Sequence, residues 1–182
     1  IRGIDGKICA IKYARENNIP FFGISLGMQL ATIEFARNVL NIQDANSTEF
    51  CEDAANPIIY YLPNQYLGVS TGDPVRCGAY RCQINKNSKI YEEYNTEFIS
   101  ERHYHRYEFN NKYLEKMEKA GMKATGINPE TGLVEVVEIP TLSWFVACLY
   151  HPEFFSRPNR SHPLFNGFIK HSIEYKNSKN NE

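Results

Sequence analysis

The chain has 182 residues, of which 42% are hydrophobic and 23% charged. A chain of this length buries roughly 70% of its unfolded surface, so one α/β domain can form without a disulfide or metal. The five cysteines are scattered, and the net charge of −1 argues against a nucleic-acid binder. No apolar run approaches the roughly 18 residues that cross a bilayer, and no signal-peptide pattern is present. We therefore expect a soluble, cytoplasmic domain that contacts neither nucleic acid nor membrane.

The first part of the chain alternates between helical and strand patterns. Apolar residues at helical spacing predict a first helix over 4–14, which Pro20 terminates. The apolar run 19–24 has the length of a buried strand, and helical spacing returns over 26–40. Helix, short buried strand and helix in this order are typical of a parallel α/β sheet.

The middle of the chain is punctuated by proline and glycine. We expect loops and edge structure over 44–90, with one short strand at 58–62. A helix follows, capped by Asn110 or Asn111 and closed by Gly121.

The last part of the chain predicts further strands and a terminal helix. In the strand predicted over 133–139, residues alternate as expected for a sheet whose two faces differ. The last helix starts at Ser161 or His162 with Pro163 in its first turn, and the polar tail 176–182 is expected to fray. The three predicted strands span 123–127, 133–139 and 145–150.

A glycine-flanked serine stands where the first strand meets the second helix. The segment 23–27 reads G-I-S-L-G, which matches the G-x-S-x-G nucleophile elbow in its strand–helix context. The helix that follows directs its N–H groups and dipole at the same spot, which favours a developing anion. We interpret Ser25 as a candidate nucleophile, with an ordinary glycine-rich turn as the alternative.

A histidine and a glutamate follow the last predicted strand. His151 comes directly after 145–150, and Glu153 stands two residues further, where an extended chain directs it the same way. The carboxylate can then orient the imidazole, which predicts a Ser25-His151-Glu153 triad at the carboxyl ends of strands. A capping or core histidine is the alternative. In α/β-hydrolases the acid precedes the histidine, so this order does not fit that fold.

Four longer segments carry a resemblance to a known family. They are PFFGISLGMQLATIEFARNVLNIQDANSTEF, ERHYHRYEFN, GLVEVVEIP and LYHPEFFSRP. Together they resemble the class I glutamine amidotransferase domain of the CTP synthases over about 3–175. The resemblance implies a flavodoxin-like three-layer α/β/α fold with a mixed, mainly parallel sheet, forming a single domain over 1–182. It also implies that the first strands and a glycine-rich oxyanion turn lie upstream of Ile1, so we expect the sequence to lack them.

The resemblance assigns roles to individual residues. Ser25 stands at the nucleophile position, and His151 and Glu153 complete the triad. The N–H of Leu26 would supply half of the oxyanion hole. The glutamine-binding residues implied by the family pattern are Gln29, Glu49 and Arg106. Without the resemblance these are polar side chains, the last one in an exposed basic cluster, but an amino-acid substrate does need one acidic and one basic partner.

The resemblance also implies reaction partners. The domain would hydrolyse glutamine to glutamate and ammonia without a metal or prosthetic group of its own. The ammonia would pass to a synthetase domain of the same full-length chain, which uses ATP and Mg to aminate UTP to CTP. The full-length protein would be a homotetramer with GTP as a possible effector. The family pattern has arginine where this chain has Tyr104, so the GTP response does not carry over to this chain by resemblance.

The nucleophile departs from the family pattern. The family has cysteine where this chain has Ser25. A thiol with a pKa near about 8.5 is readily tuned to a thiolate, whereas a serine hydroxyl needs concerted proton removal. We therefore predict glutamine binding with little or no turnover, the serine being either an engineered replacement or the mark of a natural inactive relative. A true serine hydrolase and a non-catalytic glutamine-binding regulatory module are the alternatives.

Overall fold

The computed structural model of the chain describes residues 3–61 and 75–180. Within this part five α-helices and nine strands are formed. The helices are α1 (Ile4–Glu16), α2 (Leu26–Asn38), α3 (Lys89–Tyr94), α4 (Leu114–Ala120) and α5 (Pro163–Lys179). The strands are β1 (Phe21–Ile24), β2 (Ala45–Ser47), β3 (Asn56–Tyr61), β4 (Arg76–Ile84), β5 (Phe98–His105), β6 (Tyr107–Phe109), β7 (Lys123–Ile127), β8 (Val134–Glu138) and β9 (Phe145–Cys148).

The strands form two sheets of different size. The larger has the order β1-β9-β8-β7-β4-β5, and the smaller has the order β2-β3-β6. The predicted α/β class and mixed sheet are confirmed, but the expectation of a mainly parallel sheet is wrong for the described strands. In the larger sheet β1 and β9 pair in parallel, and the other four pairings are antiparallel. The short connections that join β7, β8 and β9 allow only antiparallel neighbours.

Helices cover both faces of the larger sheet, as the three-layer prediction requires. Apolar residues of α1, α2 and α4 pack with the sheet in one cluster, which includes Met28, Ile33 and Phe145. On the opposite face, Trp144 and Leu164 belong to a second cluster beneath α5. All five residues of β8 are buried because both faces of the strand are covered, which corrects the expected difference between its faces. Among the described residues, no helix is long and apolar enough to cross a membrane.

Sequence patterns located the outer parts of the chain better than its middle. The predicted helices at 4–14 and 26–40 and the strand at 19–24 correspond to α1, α2 and β1. The expectation of loops and edge structure over 44–90 is wrong at β4, which is an interior strand between β5 and β7. Residues 62–74 of that segment lie outside the described part. The predicted fraying of the tail is also wrong up to Lys179, where α5 ends with two lysines in its last turn, a favourable charge for the helix dipole.

Pairing between β1 and β9 determines where the site can form. Ile24 lies opposite Cys148 in the parallel register, so both strands end at the same edge of the sheet. The residues that follow the two strands therefore start from the same edge: Ser25 directly after β1, and His151 three positions after the end of β9. This edge is where the carboxyl ends of parallel strands place functional residues.

Candidate active site

The elbow at Ser25 has the strained backbone that the motif predicts. Its φ of 51° and ψ of −107° are unfavourable for a residue with a side chain, and it immediately precedes helix α2. Its N–H donates to the carbonyl oxygen of Cys148 at 2.8 Å, and its own carbonyl accepts from Met28 and Gln29. The surrounding hydrogen bonds therefore hold the residue in a conformation that presents its side chain at the sheet edge.

The two glycines of the motif differ in how closely other atoms approach them. A Cβ on Gly23 would lie 2.9 Å from the carbonyl carbon and oxygen of Gly27 and 3.0 Å from Cβ of Ala147. Strand and helix approach each other too closely there for any side chain. A Cβ on Gly27 would meet no atom of the described residues within 4 Å. The close approach of strand and helix therefore requires glycine at position 23, and the described residues give no steric reason for the glycine at position 27.

His151 and Glu153 form the pair that their spacing predicts. Nδ1 of the imidazole lies 2.6 Å from Oε1 of the carboxylate. The His151 backbone N–H donates to the carbonyl of Arg102 at 2.8 Å, which ties the residue to β5, and its ring lies against Phe154 with centroids 5.3 Å apart. With Nδ1–H donated to the carboxylate, Nε2 is left as an acceptor, and no atom of the described residues hydrogen-bonds to it.

One cavity brings most of the remaining predicted residues together. It has a volume of about 390 Å³ and opens beside the elbow. Its lining consists of Ser25, Leu26, Gln29, Glu49, Val75, Tyr104, His105, Arg106 and Tyr107. His151 and Glu153 are not part of this lining, although the paired strands bring them to the same sheet edge. The sequence-predicted residues thus occupy two places at this sheet edge, the cavity and the His–Glu pair.

The three residues predicted to bind glutamine come from different elements. Gln29 lies buried in α2, where its side-chain nitrogen donates to the carbonyl of Tyr107 at 3.3 Å. Glu49 follows β2 in a turn fixed by a hydrogen bond from its backbone N–H to Ser47 Oγ. Arg106 is the exposed residue between β5 and β6. An acidic and a basic side chain therefore border the same cavity.

The expected basic cluster around Arg106 is divided by strand alternation. Along β5 the side chains of Glu101, His103 and His105 are buried, whereas Arg102 and Tyr104 are exposed. The exposed basic patch that the composition suggested therefore consists of arginines without the histidines. The histidines instead turn into the protein, where they meet charged partners.

Behind the cavity wall lies a buried charged cluster that sequence reasoning missed. Glu135 of β8 pairs with Arg76 of β4 and lies 2.8 Å from Nε2 of His103. Burial lowers the pKa of the His103 and His105 imidazoles, which favours their neutral forms. Charged residues at inward positions of an alternating strand were the available signal. The cluster consists of Arg76, His103, His105, Glu108 and Glu135.

The strained elbow between a strand and a helix, with a His–Glu pair at the same sheet edge, is typical of α/β proteins that carry a candidate nucleophile at such an elbow. The family model described as "Glutamine amidotransferase class-I" matches residues 2–171. The chain therefore belongs to the class I glutamine amidotransferase family, and its resemblance to the corresponding domain of the CTP synthases is confirmed by its relatives.

Three relatives show the extent of the similarity. The chain is 53% identical over 178 residues to a CTP synthase of Symbiobacterium thermophilum, covering 98% of this chain and 33% of the relative. It is 52% identical over 182 residues to a CTP synthase of Christiangramia forsetii, with the same coverage. The structure titled "Trypanosoma brucei CTPS - glutaminase domain with bound acivicin" superposes with a TM-score of 0.88 at 37% identity, covering 95% of this chain and 67% of that one. The chain spans about a third of the length of these curated relatives.

Proposed function

We propose that this chain is the glutaminase domain of a CTP synthase, and that it binds glutamine in the cavity beside Ser25. The observation that carries the proposal is the cavity itself, which joins the elbow to an acidic residue, Glu49, and a basic residue, Arg106. Free glutamine presents an ammonium, a carboxylate and a side-chain amide, so it matches this set of groups. The kinship to CTP synthases supports the same assignment.

The arrangement gives each predicted residue a role in binding. Arg106 would hold the substrate carboxylate, while Glu49 and Gln29 would bind the rest of the amino-acid end. The amide carbon would then face Ser25, and the N–H of Leu26, at the start of α2, would donate to the developing oxyanion. The dipole of α2 favours negative charge at the same place.

In the cysteine form of the family, the chemistry would proceed in two steps. The nucleophile attacks the amide carbon, and His151 delivers a proton to the departing nitrogen, so that ammonia leaves and an acyl-enzyme remains. Water then attacks the acyl group, His151 takes its proton, and glutamate is released. Glu153 would orient the imidazole through the 2.6 Å contact with Nδ1.

Serine at the nucleophile position would stop this sequence before the first step. The hydroxyl of Ser25 is protonated at neutral pH, and its attack requires His151 to remove the proton as the bond forms. A site arranged for a cysteine thiolate and an imidazolium does not provide that concerted transfer. We therefore propose that the chain binds glutamine with little or no turnover.

The wider partners stay predictions from the family resemblance. We propose that ammonia passes to a synthetase domain of the full-length protein, which would supply the ATP and Mg chemistry and aminate UTP. The absence of a cofactor from this domain, the homotetramer, the GTP response and the cytoplasmic location are predictions of the same kind.

Titration calorimetry with L-glutamine tests the binding proposal on the chain as it stands. We expect saturable binding of L-glutamine and at least tenfold weaker binding of D-glutamine, whose carboxylate and ammonium exchange places. Equal affinity for the two enantiomers, or no binding of either one, would contradict the proposal.

A serine hydrolase is the second candidate, because Ser25 occupies a strained elbow at the sheet edge that also carries His151 and Glu153. A fluorophosphonate probe distinguishes the two candidates. Labelling that disappears in a Ser25→Ala variant would establish a serine nucleophile, whereas the glutaminase proposal predicts no labelling.

A further inference from the structure

Two histidines lie in a row of buried polar side chains that ends at the cavity. At one end Oε2 of Glu135 lies 2.8 Å from Nε2 of His103. Nδ1 of His103 lies 2.8 Å from Nε2 of His105, and Nδ1 of His105 lies 3.4 Å from Oε1 of Glu108. Their side chains are at most 4% exposed. We call Glu135, His103, His105 and Glu108 the histidine row.

The contact between the two rings is the hydrogen bond of the row. Nδ1 of His103 lies 2.8 Å from Nε2 of His105, whereas the atoms that face the two carboxylates, His103 Nε2 and His105 Nδ1, make close ion contacts without an aligned hydrogen bond to the described residues. A hydrogen bond between the rings needs one proton between the two nitrogens. A second cation directly beside the first is costly in a buried site, so the two rings together hold at most one additional proton.

Charge balance favours the same additional proton. Arg76 contributes one positive charge beside the row, and its guanidinium contacts Glu135 and Glu108, all three side chains being fully buried. With neutral imidazoles the cluster carries a net negative charge, which is costly in a buried site. With one imidazolium, two cations face two anions. Burial lowers the pKa of both imidazoles, so the proton is taken up below neutral pH.

The row connects the sheet interior to the cavity wall. His105 lines the cavity next to Arg106 in the chain, and Ser25 lies in the same lining. His103 precedes His105 by two residues on β5, so both side chains lie on the buried face of that strand. Glu135 belongs to β8, an interior strand of the same sheet. His105, which lines the cavity, is thus held by His103, which is not part of the lining.

We propose that Glu135 is a positioning residue for this cavity: through His103 it holds His105 in the wall, and the two imidazoles bind one additional proton as a unit. The identity of the ligand rests on the proposed function, whereas the coupling of the two rings does not. The charged and titratable groups that face the row are Arg76 and Tyr80 from β4, Glu135 from β8, Glu108 from β6, and Tyr150 and His151 beyond β9.

The first test compares two buried glutamates of the same strand. Glu135→Gln replaces one anionic oxygen with an amide nitrogen, so the side chain loses its charge and no longer presents an oxygen to both Arg76 and His103. We expect L-glutamine to bind roughly tenfold more weakly, as one lost charge-assisted hydrogen bond implies. Glu138→Gln is the matched control, since this equally buried carboxylate accepts from the N–H groups of Lys89 and Ile90 and lies outside the row. An unchanged affinity in folded Glu135→Gln, or an equal loss in both variants, would overturn the proposal.

The second test needs no folded variant and no glutamine. The chain has five histidines, so long-range nitrogen–proton NMR spectra can follow each ring through a pH titration. We expect His103 and His105 to titrate with one common midpoint and a combined uptake of one proton. Two independent midpoints would overturn the shared proton. If the chain does not bind glutamine at all, the proposed function fails, and this titration alone decides the coupling.

Discussion

The backbone N–H of Ser25 donates to the carbonyl oxygen of Cys148 at 2.8 Å, on the strand that leads directly to His151. One pair of parallel strands therefore positions both the elbow and the imidazole. Because this relationship is made by backbone atoms, it does not depend on whether the nucleophile is a serine or a cysteine. Exchanging the two at this position is expected to change the chemistry and leave the geometry of the elbow intact.

The first prediction concerns the close approach at the elbow. In Gly23→Ala the new methyl group would lie 2.9 Å from the Gly27 carbonyl, so strand and helix must separate. We expect the free energy of unfolding to fall by about 1–3 kcal/mol. Gly27→Ala is the control, because its methyl meets no described atom within 4 Å and alanine suits a helix better than glycine. Chemical denaturation measures both, and equal destabilisation would contradict the steric explanation.

The second prediction separates two exposed arginines of one segment. Arg106 lines the cavity, whereas Arg102 is exposed four residues earlier and is not part of its lining. Arg106→Ala should weaken L-glutamine binding at least roughly tenfold, because a carboxylate loses its charged partner. Arg102→Ala should bind within about twofold of the unsubstituted chain, since exposed charges outside the cavity contribute little. Calorimetry measures both, and a similar loss in the two variants would indicate a general charge effect.

The third prediction concerns the pH dependence of folding stability. Burial lowers the pKa of His103 and His105 in the folded chain, so the unfolded chain binds protons more readily. Their contribution to stability is complete above the unfolded value of about 6.5 and is lost as the pH falls towards the lower folded values. We expect a double His103→Gln, His105→Gln variant to lose less stability than the unsubstituted chain between neutral and mildly acidic pH. Urea unfolding across this range measures the difference, and parallel curves would contradict it.

Local sequence patterns predicted those parts of the fold in which a residue type is required by the backbone conformation alone. Gly121, in a left-handed conformation after α4, and Pro163, at the start of α5, both follow from backbone geometry. The elbow was equally readable, since strand, strained residue and helix are consecutive in the chain. The roles of the site residues, by contrast, stay predictions until binding and turnover are measured.

The interior strand β4 and the edge strand β5 were missed because their inward positions carry charged residues. Arg76 and His103 are buried through partners far away in sequence, chiefly Glu135, and no local pattern announces such a partner. Sequence reasoning assigns charged side chains to the surface, a rule that fails when buried charges satisfy one another. The same cause led to the basic cluster being placed at the surface. In both cases, contacts between residues far apart in the sequence determined which side chains are buried.

Ammonia release from L-glutamine tests most directly whether Ser25 replaces a working nucleophile. The chain spans about a third of its relatives' length, so the comparison is best made in the full-length protein, with serine or cysteine at this position. We predict release from Ser25→Cys and at least roughly 100-fold less from the serine form, because the thiolate is the stronger nucleophile at neutral pH. Equal release from both forms, or none from the cysteine form while it binds glutamine, would contradict the assignment of this chain as a glutaminase with an altered nucleophile.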